Sequence, residues 1–388
     1  MVQDMRLAVK VLAATLHEVI HHSVSVDVAF KRACRGRCRL TLEEREHLYV
    51  LARGFVKDYL KLKCLHPRTT SLSKLARLWL EGSEEADSLP LWCSLSVQEW
   101  FFKKLSSLLG EDEARELILS LNERHWWVRM NFLRGNEERI LRSLDEEDVE
   151  YEKDRHFPYL LRILKSPKPV RLLKAFKEFQ IIPQDKASVA VVEALRPSPG
   201  DLVLDMAFAP GVKTSLIMML AGNEARITAV DLSYRRALLA TNLLRKMGVD
   251  MRRVNIVVAD SRDISFRERF DKVLLDAPCS NSGAVAKDPG LRITLTFQKI
   301  LHYSETQKAL VRKAIELGEE VIYSTCSLMP EEGEYVVKEV AEAVKFERPF
   351  PWTSPGYRVV EFSGDVSRLY PHKHMTEGFF LVRFRPVG

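Results

Sequence analysis

Two short runs carry the residues best suited to covalent chemistry. In KVLLDAPCSNSG (272–283) and EVIYSTCSLMP (320–330) an apolar stretch ends in a polar turn. Each turn holds a cysteine followed by a serine, at Cys279 and Cys326. A thiolate is both a strong nucleophile and a tolerable leaving group, so a cysteine at a strand end can add to a substrate and later depart. An isolated buried cysteine is ordinarily an inert small hydrophobe. Two at matching strand ends, beside Asp276, point instead to a reactive site.

Carboxylates share that edge. Apolar runs end at or near Asp205 (DLVLD), Asp231 (ITAVD), Asp260 (VVAD) and Asp276 (LLDAP). Any one of these is explained by helix capping; four together argue for a binding site. After Asp205 comes MAFAPGVKTS, a turn of mostly small residues, Ala207, Phe208, Ala209, Pro210 and Gly211, leading through Val212 and Lys213 into a helix. A phosphate loop would need glycines where Ala207 and Val212 stand, and a dinucleotide fingerprint fails on its glycine spacing. Asp231, 26 residues beyond Asp205, suits a ribose with free hydroxyls. Asp260 can accept from an adenine amino group. An adenosine-bearing ligand without a phosphate cradle indicates S-adenosylmethionine.

The elements that place these residues follow from periodicity. DLVLDMA, ARITAVDL, VNIVVAD, DKVLLDAP and EVIYSTC read as five apolar strands separated by helical stretches. The alternation predicts an α/β fold, an open and mostly parallel doubly wound sheet over 169–388, which binds ligands beyond its strands' carboxyl ends. Residues 89–165 combine a helix (SVQEWFFKKLSSLL), a strand (HWWVRMNFL) and a helix near GNEERILRSLDEED, an α+β subdomain. Residues 1–82 show helical spacing (Leu7, Val11, Leu12, Leu16, Val19, Ile20) and form an all-α domain, with SEEADS (83–88) as linker.

Composition bounds the partners. Residues 1–80 hold fifteen Lys/Arg against seven Asp/Glu, an excess of eight, larger than the whole chain's +6. KRACRGRCRL alone carries Lys31, Arg32, Arg35, Arg37 and Arg39. Such a surface attracts a polyanion. No run reaches the roughly 18 uninterrupted apolar residues of a membrane span, so no membrane partner is expected. The charged, amphipathic N-terminus is not a signal peptide. Six mostly isolated cysteines suit a reducing cytoplasm better than a disulfide framework. Cys34, Cys38, Cys64 and His66 offer a zinc alternative, although one helical turn spaces core residues in the same way; no metal is assigned. Trp126 and Trp127 suit base stacking or the core, and His372 and His374 suit buried hydrogen bonding.

The motifs RMNFL (129–133), PQDKAS (183–188), APGVKT (209–214), DAPCSNSG (276–283), YSTCSLMPEEGE (323–334) and RLYPHKHMTEGFFLVRFR (368–385) occur in order along the chain. Together they resemble the Sun/NSUN family of S-adenosylmethionine-dependent RNA cytosine-5 methyltransferases. The basic helical region is similar to the NusB-like RNA-binding domain of a ribosomal-RNA branch, the α+β subdomain is RRM-like, and 169–388 is the Rossmann-like methyltransferase domain. The resemblance implies attack by Cys326 on carbon 6 of cytosine and assistance to product release by Cys279. Asp276 is implied to bind ring nitrogen 3 and the exocyclic amine, which requires that it carry or share a proton. Lys213 is implied to favour the thiolate or steady a flipped base. The cofactor set is Ala207 to Lys213 with Asp231, Asp260 and Asp276. Ribosomal RNA is the expected substrate of a monomer. Transfer RNA and a catalytically weak RNA-binding assembly factor are the alternatives, and DNA methylation would instead place attack on Cys279. The chain departs from the family at Phe208 and Val212, which should crowd the cofactor turn, at Asn281 in place of glycine, and at Gly333 in place of asparagine.

Overall fold

A computed structural model describes residues 4–36, 38, 40–82 and 89–387. The expected linker at 83–88, and Arg37 and Arg39 of the basic cluster, lie outside the described residues. The chain forms two compact units, 1–124 with 281–297, and 125–280 with 298–388. This partition differs from the three consecutive pieces read from the sequence. The helices Glu99–Leu109 and Glu111–Ser120 group with the first unit, and so does a segment from within the methyltransferase region.

The first unit is helical. α1 (Met5–His22) starts on the Asp4 carboxylate, which accepts from Arg6 N and Leu7 N. α2 (Val26–Cys34) and α4 (Leu72–Glu81) start on Ser25 and Ser71. α3 (Leu42–Leu65) starts on a capping box of Thr41 and Glu44. Leu12, Leu16, Leu48, Phe55 and Leu75 bury the faces that meet. Residues 281–297 are built in by polar contacts. Arg53 donates to Ala286 O and Lys287 O at 2.9 Å each, and Asp288 Oδ1 accepts from Val26 N at 3.1 Å. Buried Arg292 donates to Leu95 O at 2.9 Å and Asn122 Oδ1 at 2.7 Å.

Four cysteines of this unit are paired, Cys34–Cys38 and Cys64–Cys93, with Cα–Cα distances of 5.1 and 6.1 Å. Their side chains are brought within disulfide reach, so the expectation of reduced, unbridged thiols does not hold for these four. The zinc alternative falls with it, because each sulfur is bonded to another sulfur. The two cysteines left free are Cys279 and Cys326.

The second unit holds two sheets among its described residues. β1 (Trp126–Met130), β2 (Glu150–Lys153), β3 (Leu160–Lys165) and β4 (Ile181–Pro183) form an antiparallel sheet in the order β2-β3-β1-β4. The larger sheet contains β5 (Leu202–Asp205), β6 (Arg226–Asp231), β7 (Val254–Val258), β8 (Phe270–Asp276), β9 (Gly318–Thr325), β10 (Val344–Glu347), β11 (Ser354–Pro355), β12 (Ser367–Leu369) and β13 (Phe379–Pro386). Its order is β11-β12-β13-β9-β8-β5-β6-β7, with β10 pairing β13. β6, β7, β8 and β9 run parallel to β5, and β13 returns antiparallel beside β9. The strand order reverses between β5 and β8, which opens a crevice at their carboxyl ends. The α/β doubly wound expectation is met.

Motif residues distant from that crevice fix the parts around it. Arg129, fully buried on β1, donates to Gln184 Oε1 at 2.7 Å and to Ser215 Oγ on the helix Val212–Leu220. Asn131 Nδ2 donates to Met247 O at 2.8 Å, and Arg134 to Arg245 O and Lys246 O at 2.8 and 2.7 Å. These bonds satisfy the final carbonyls of the helix Tyr234–Met247. Thr376 accepts from Ala187 N at 2.9 Å, joining the PQDKAS and MTEGFF motifs. Trp127 is buried and donates to Met375 O, whereas Trp126 is 43% exposed.

Candidate active site

The cofactor edge is built by three strand ends and one turn. Asp205, 1% exposed at the end of β5, accepts from Thr214 Oγ1 at 2.8 Å and Ala207 N at 3.4 Å. Burial, opposed by these bonds and reinforced by the Asp276 charge, pushes its carboxyl up to about 6. Gly211 has φ +94, a left-handed conformation suited to glycine. A Cβ there would meet Leu244 at 3.2 Å, so the turn packs directly on the helix Tyr234–Met247.

Phe208 does not crowd this turn with its side chain. It is 3% exposed within the core around Leu216, Ala229 and Leu244. Its N–H donates to Val230 O, and its carbonyl accepts from Gly211 N. Val212 packs against the same core. The expected crowding is corrected: an apolar side chain at 208 fills space behind the turn.

Asp231, 3% exposed at the end of β6, accepts from Ser233 N at 2.9 Å, and Arg236 lies 3.4 Å from its other oxygen. Arg236 also donates to Ala209 O at 2.8 Å, tying the turn to this carboxylate. Asp260 follows β7, but Arg262 folds back and donates to both of its oxygens, at 3.0 Å and 2.6 Å. That hydrogen-bonded pair holds the Asp260 carboxyl below its usual range. Arg262 is a partner of this carboxylate that sequence reasoning did not identify. The donor set fits S-adenosylmethionine: its sugar hydroxyls need acceptors such as Asp231, and it brings no phosphate for which this turn lacks a cradle.

The reactive end lies on β8 and β9, paired in register with Asp276 opposite Ser324. Asp276 Oδ2 is 2.6 Å from Lys213 Nζ, and Oδ1 accepts from Ser324 Oγ at 2.8 Å. Burial pulls the Lys213 ammonium down, but Asp276, by charge and hydrogen bond, and the charges of Cys326 and Asp205 more than offset it, leaving its pKa raised. Cys279 is buried, Cys326 is half-buried, and their Sγ atoms lie 3.2 Å apart. The structure therefore brings together Lys213, Asp276, Cys279 and Cys326. Sequence reasoning missed Ser324 and Thr214, although both lie inside quoted motifs. Their signal was a hydroxyl placed where a strand end or first helical turn meets a buried acid.

Two departures from the family pattern have local reasons. Asn281 adopts φ +59, which asparagine tolerates. A Cβ at Gly333 would lie 2.6 Å from Arg368 Nη2 and 2.7 Å from Phe380, so the larger residue usual there has no room. His374 is buried and accepts from Tyr370 N at 2.8 Å; burial brings it down to about 4, the structural role expected of it.

Residues 192–385 match the family model described as 16S rRNA methyltransferase RsmB/F. The tRNA (cytosine(72)-C(5))-methyltransferase of Pyrococcus horikoshii is 35% identical over 221 residues, 55% of this chain and 54% of that protein. The tRNA (cytosine(49)-C(5))-methyltransferase of Pyrococcus abyssi is 30% identical over 314 residues, 73% of this chain and 97% of that protein. The chain thus spans about half the length of the first relative and nearly all of the second. The crystal structure of PH0851 superposes with a TM-score of 0.80 at 25% identity, over 98% of each chain.

Proposed function

The chain belongs to the family described as 16S rRNA methyltransferase RsmB/F, and on that premise we propose that it methylates carbon 5 of cytosine in RNA through a covalent bond to Cys326. The observation that carries this reading is the pair of cysteine sulfurs, neither in a disulfide, 3.2 Å apart at the ends of two paired strands, beside the Lys213–Asp276 pair.

Carbon 5 of cytosine is a weak nucleophile. A thiolate at Cys326 forms a bond to carbon 6, and the displaced electron pair makes carbon 5 nucleophilic. S-adenosylmethionine, which the 207–213 turn and Asp231 would hold, would supply the methyl group to carbon 5 and leave as S-adenosylhomocysteine. Loss of the carbon 5 proton to a base then restores the double bond and expels the Cys326 sulfur. Cys279, in contact with that sulfur, assists release. The Lys213 ammonium, paired with Asp276, places a positive charge beside the Cys326 sulfur, and Asp276 must carry or share a proton to hold ring nitrogen 3. Asp276 accepts from the exocyclic amine, which uracil lacks, and so selects cytosine. The base must leave its stack for carbon 6 to meet a thiol.

Ribosomal RNA is the substrate we assign. The family description supports it, and the basic helical unit fits a large folded RNA through its phosphates. Transfer RNA is the second reading, favoured by the activity named for both Pyrococcus relatives. The assembly-factor reading rested on crowding by Phe208 and Val212; Phe208 is buried in the core and Val212 packs against it. The same proposal takes the chain as a cytoplasmic monomer; among the described residues no helix is long and apolar enough to cross a membrane. The test is adduct trapping with each cysteine replaced. Cys326→Ala should abolish the covalent RNA complex, and Cys279→Ala should let it accumulate. The reverse pattern would move attack to Cys279 and defeat the assignment. Bisulfite mapping of RNA from a deletion strain then identifies the substrate.

A further inference from the structure

Glu332 ends the turn Pro330–Glu332, is 0% exposed, and receives four hydrogen bonds on its carboxylate. Oε1 accepts from Ser280 N at 2.7 Å and from Gln307 Nε2 at 3.3 Å. Oε2 accepts from Ser327 Oγ at 2.6 Å and from Ser280 Oγ. Ser280 follows Cys279 and Ser327 follows Cys326, so one carboxylate grips the residue after each thiol.

The residues before the thiols are held as well. Gln307 donates to Pro278 O at 2.8 Å, immediately before Cys279. Thr325 Oγ1, immediately before Cys326, donates to the Glu332 carbonyl at 3.1 Å, and Tyr323 donates to the same carbonyl at 2.8 Å. Each cysteine therefore stands between two anchored neighbours, and Glu332 with its partner Gln307 is the group that reaches both turns. Burial raises the Glu332 carboxyl above the ordinary glutamate value, against the pull of its serine donors. A buried carboxylate is a costly way to fill space, and here its oxygens meet only donors.

We propose that Glu332 is a positioning residue that sets the spacing of Cys279 and Cys326 by clamping both turns through Ser280 and Ser327. It touches neither substrate nor cofactor. Its catalytic meaning rests on the reading of Cys326 as nucleophile, because a displacement of about 1 Å between the attacking and assisting sulfurs is enough to cost about a hundredfold in rate.

The spacing is measurable without RNA. With glutathione disulfide as oxidant, the two thiols form one intramolecular disulfide and release two glutathione molecules, and the equilibrium constant reports how closely the sulfurs are held together. Full-length protein is equilibrated in glutathione buffers, and the Cys279–Cys326 linkage is quantified by peptide mass. Glu332→Gln keeps the shape but cannot accept at both ends, and it should lower this constant by about tenfold or more, the scale of a lost charge-assisted hydrogen bond. Its kcat should fall while its KM for S-adenosylmethionine holds. A folded Glu332→Gln protein whose constant stays within about threefold of the parent, or rises, overturns the clamp. Should that variant not fold, Ser327→Ala removes one arm and decides in the same way: a lowered constant supports the clamp and an unchanged one overturns it. The cysteine adduct experiment tests the nucleophile separately, so either conclusion can fail alone.

Discussion

Neutralising Glu334 exposes what the buried Arg368 does for the nucleophile's turn. Both side chains are 0% exposed. The guanidinium donates to Glu334 Oε1 at 3.0 Å and to Oε2, to Ser327 O at 2.7 Å and to Met329 O at 3.3 Å. The faces of Tyr357 and Phe380 lie 4.4 and 5.0 Å from its carbon. Glu334→Gln leaves this cation buried without its counter-charge, a loss that costs about 3–5 kcal/mol. The two carbonyls and two rings remain, and we place the effect at the lower end, about 3 kcal/mol. Replacing both partners, Glu334→Leu with Arg368→Met, removes the charge problem but leaves Ser327 O and Met329 O without this donor and Tyr357 N, 2.9 Å from Glu334 Oε1, without its acceptor, at about 1 kcal/mol or more each. The assay is denaturant unfolding of parent, single and double variants, with methyl transfer measured on each. The double variant should be about as stable as the single one and stay poorly active, because Ser327 O and Met329 O have lost the group that fixes the turn after Cys326. A single variant costing less than about 1 kcal/mol, or a double variant less stable than the single, would refute the reasoning.

Two further outcomes follow from the cofactor edge. Lys213→Met removes the cation beside Asp276 and Cys326 and should lower kcat for methyl transfer by about 10²–10³-fold, in line with loss of one charge-stabilising donor; a kcat within about threefold of the parent would remove Lys213 from the chemistry. Burial holds the Asp205 carboxyl up at about 6, against 3.8 for an ordinary aspartate. Between those values the folded state holds a proton that the unfolded state has released, so parent stability falls as pH rises through that window. The full effect is about 3 kcal/mol, and Asp205→Asn should abolish this slope in unfolding measured from pH 4 to pH 7. An unchanged slope would place the titrating group elsewhere.

Much of the fold was legible because β5, β6, β8 and β9 are buried apolar runs punctuated by acids and small residues, a signal that survives without tertiary knowledge. The pairing of the cysteine turns was legible for the same reason: each ends a recognisable strand. Other features were hidden because they depend on local turn geometry or on groups far apart in sequence. Arg262 closes on Asp260 through a turn whose geometry no spacing rule announces. Phe208 read as an obstruction because its direction depends on the packing of Leu216 and Leu244. The Cys64–Cys93 pairing joins cysteines 29 residues apart on different helices, which spacing alone does not announce. Glu332 looked like one acid in a charged run, and only the meeting of Ser280 and Ser327 gives it a task.

The polypeptide passes from the second unit to the first after Ser280 and returns after Phe297. This itinerary makes the helical region a poor cassette. An engineer who excises residues 1–124 also strips Arg292 of the Leu95 carbonyl and Asn122, and Asp288 of the Val26 amide. Transplanting that region between relatives requires exchanging a second stretch of chain whose near end is two residues from a reactive sulfur. Lineages that remodel this helical unit must therefore do so with a hand already on the loop that follows Cys279.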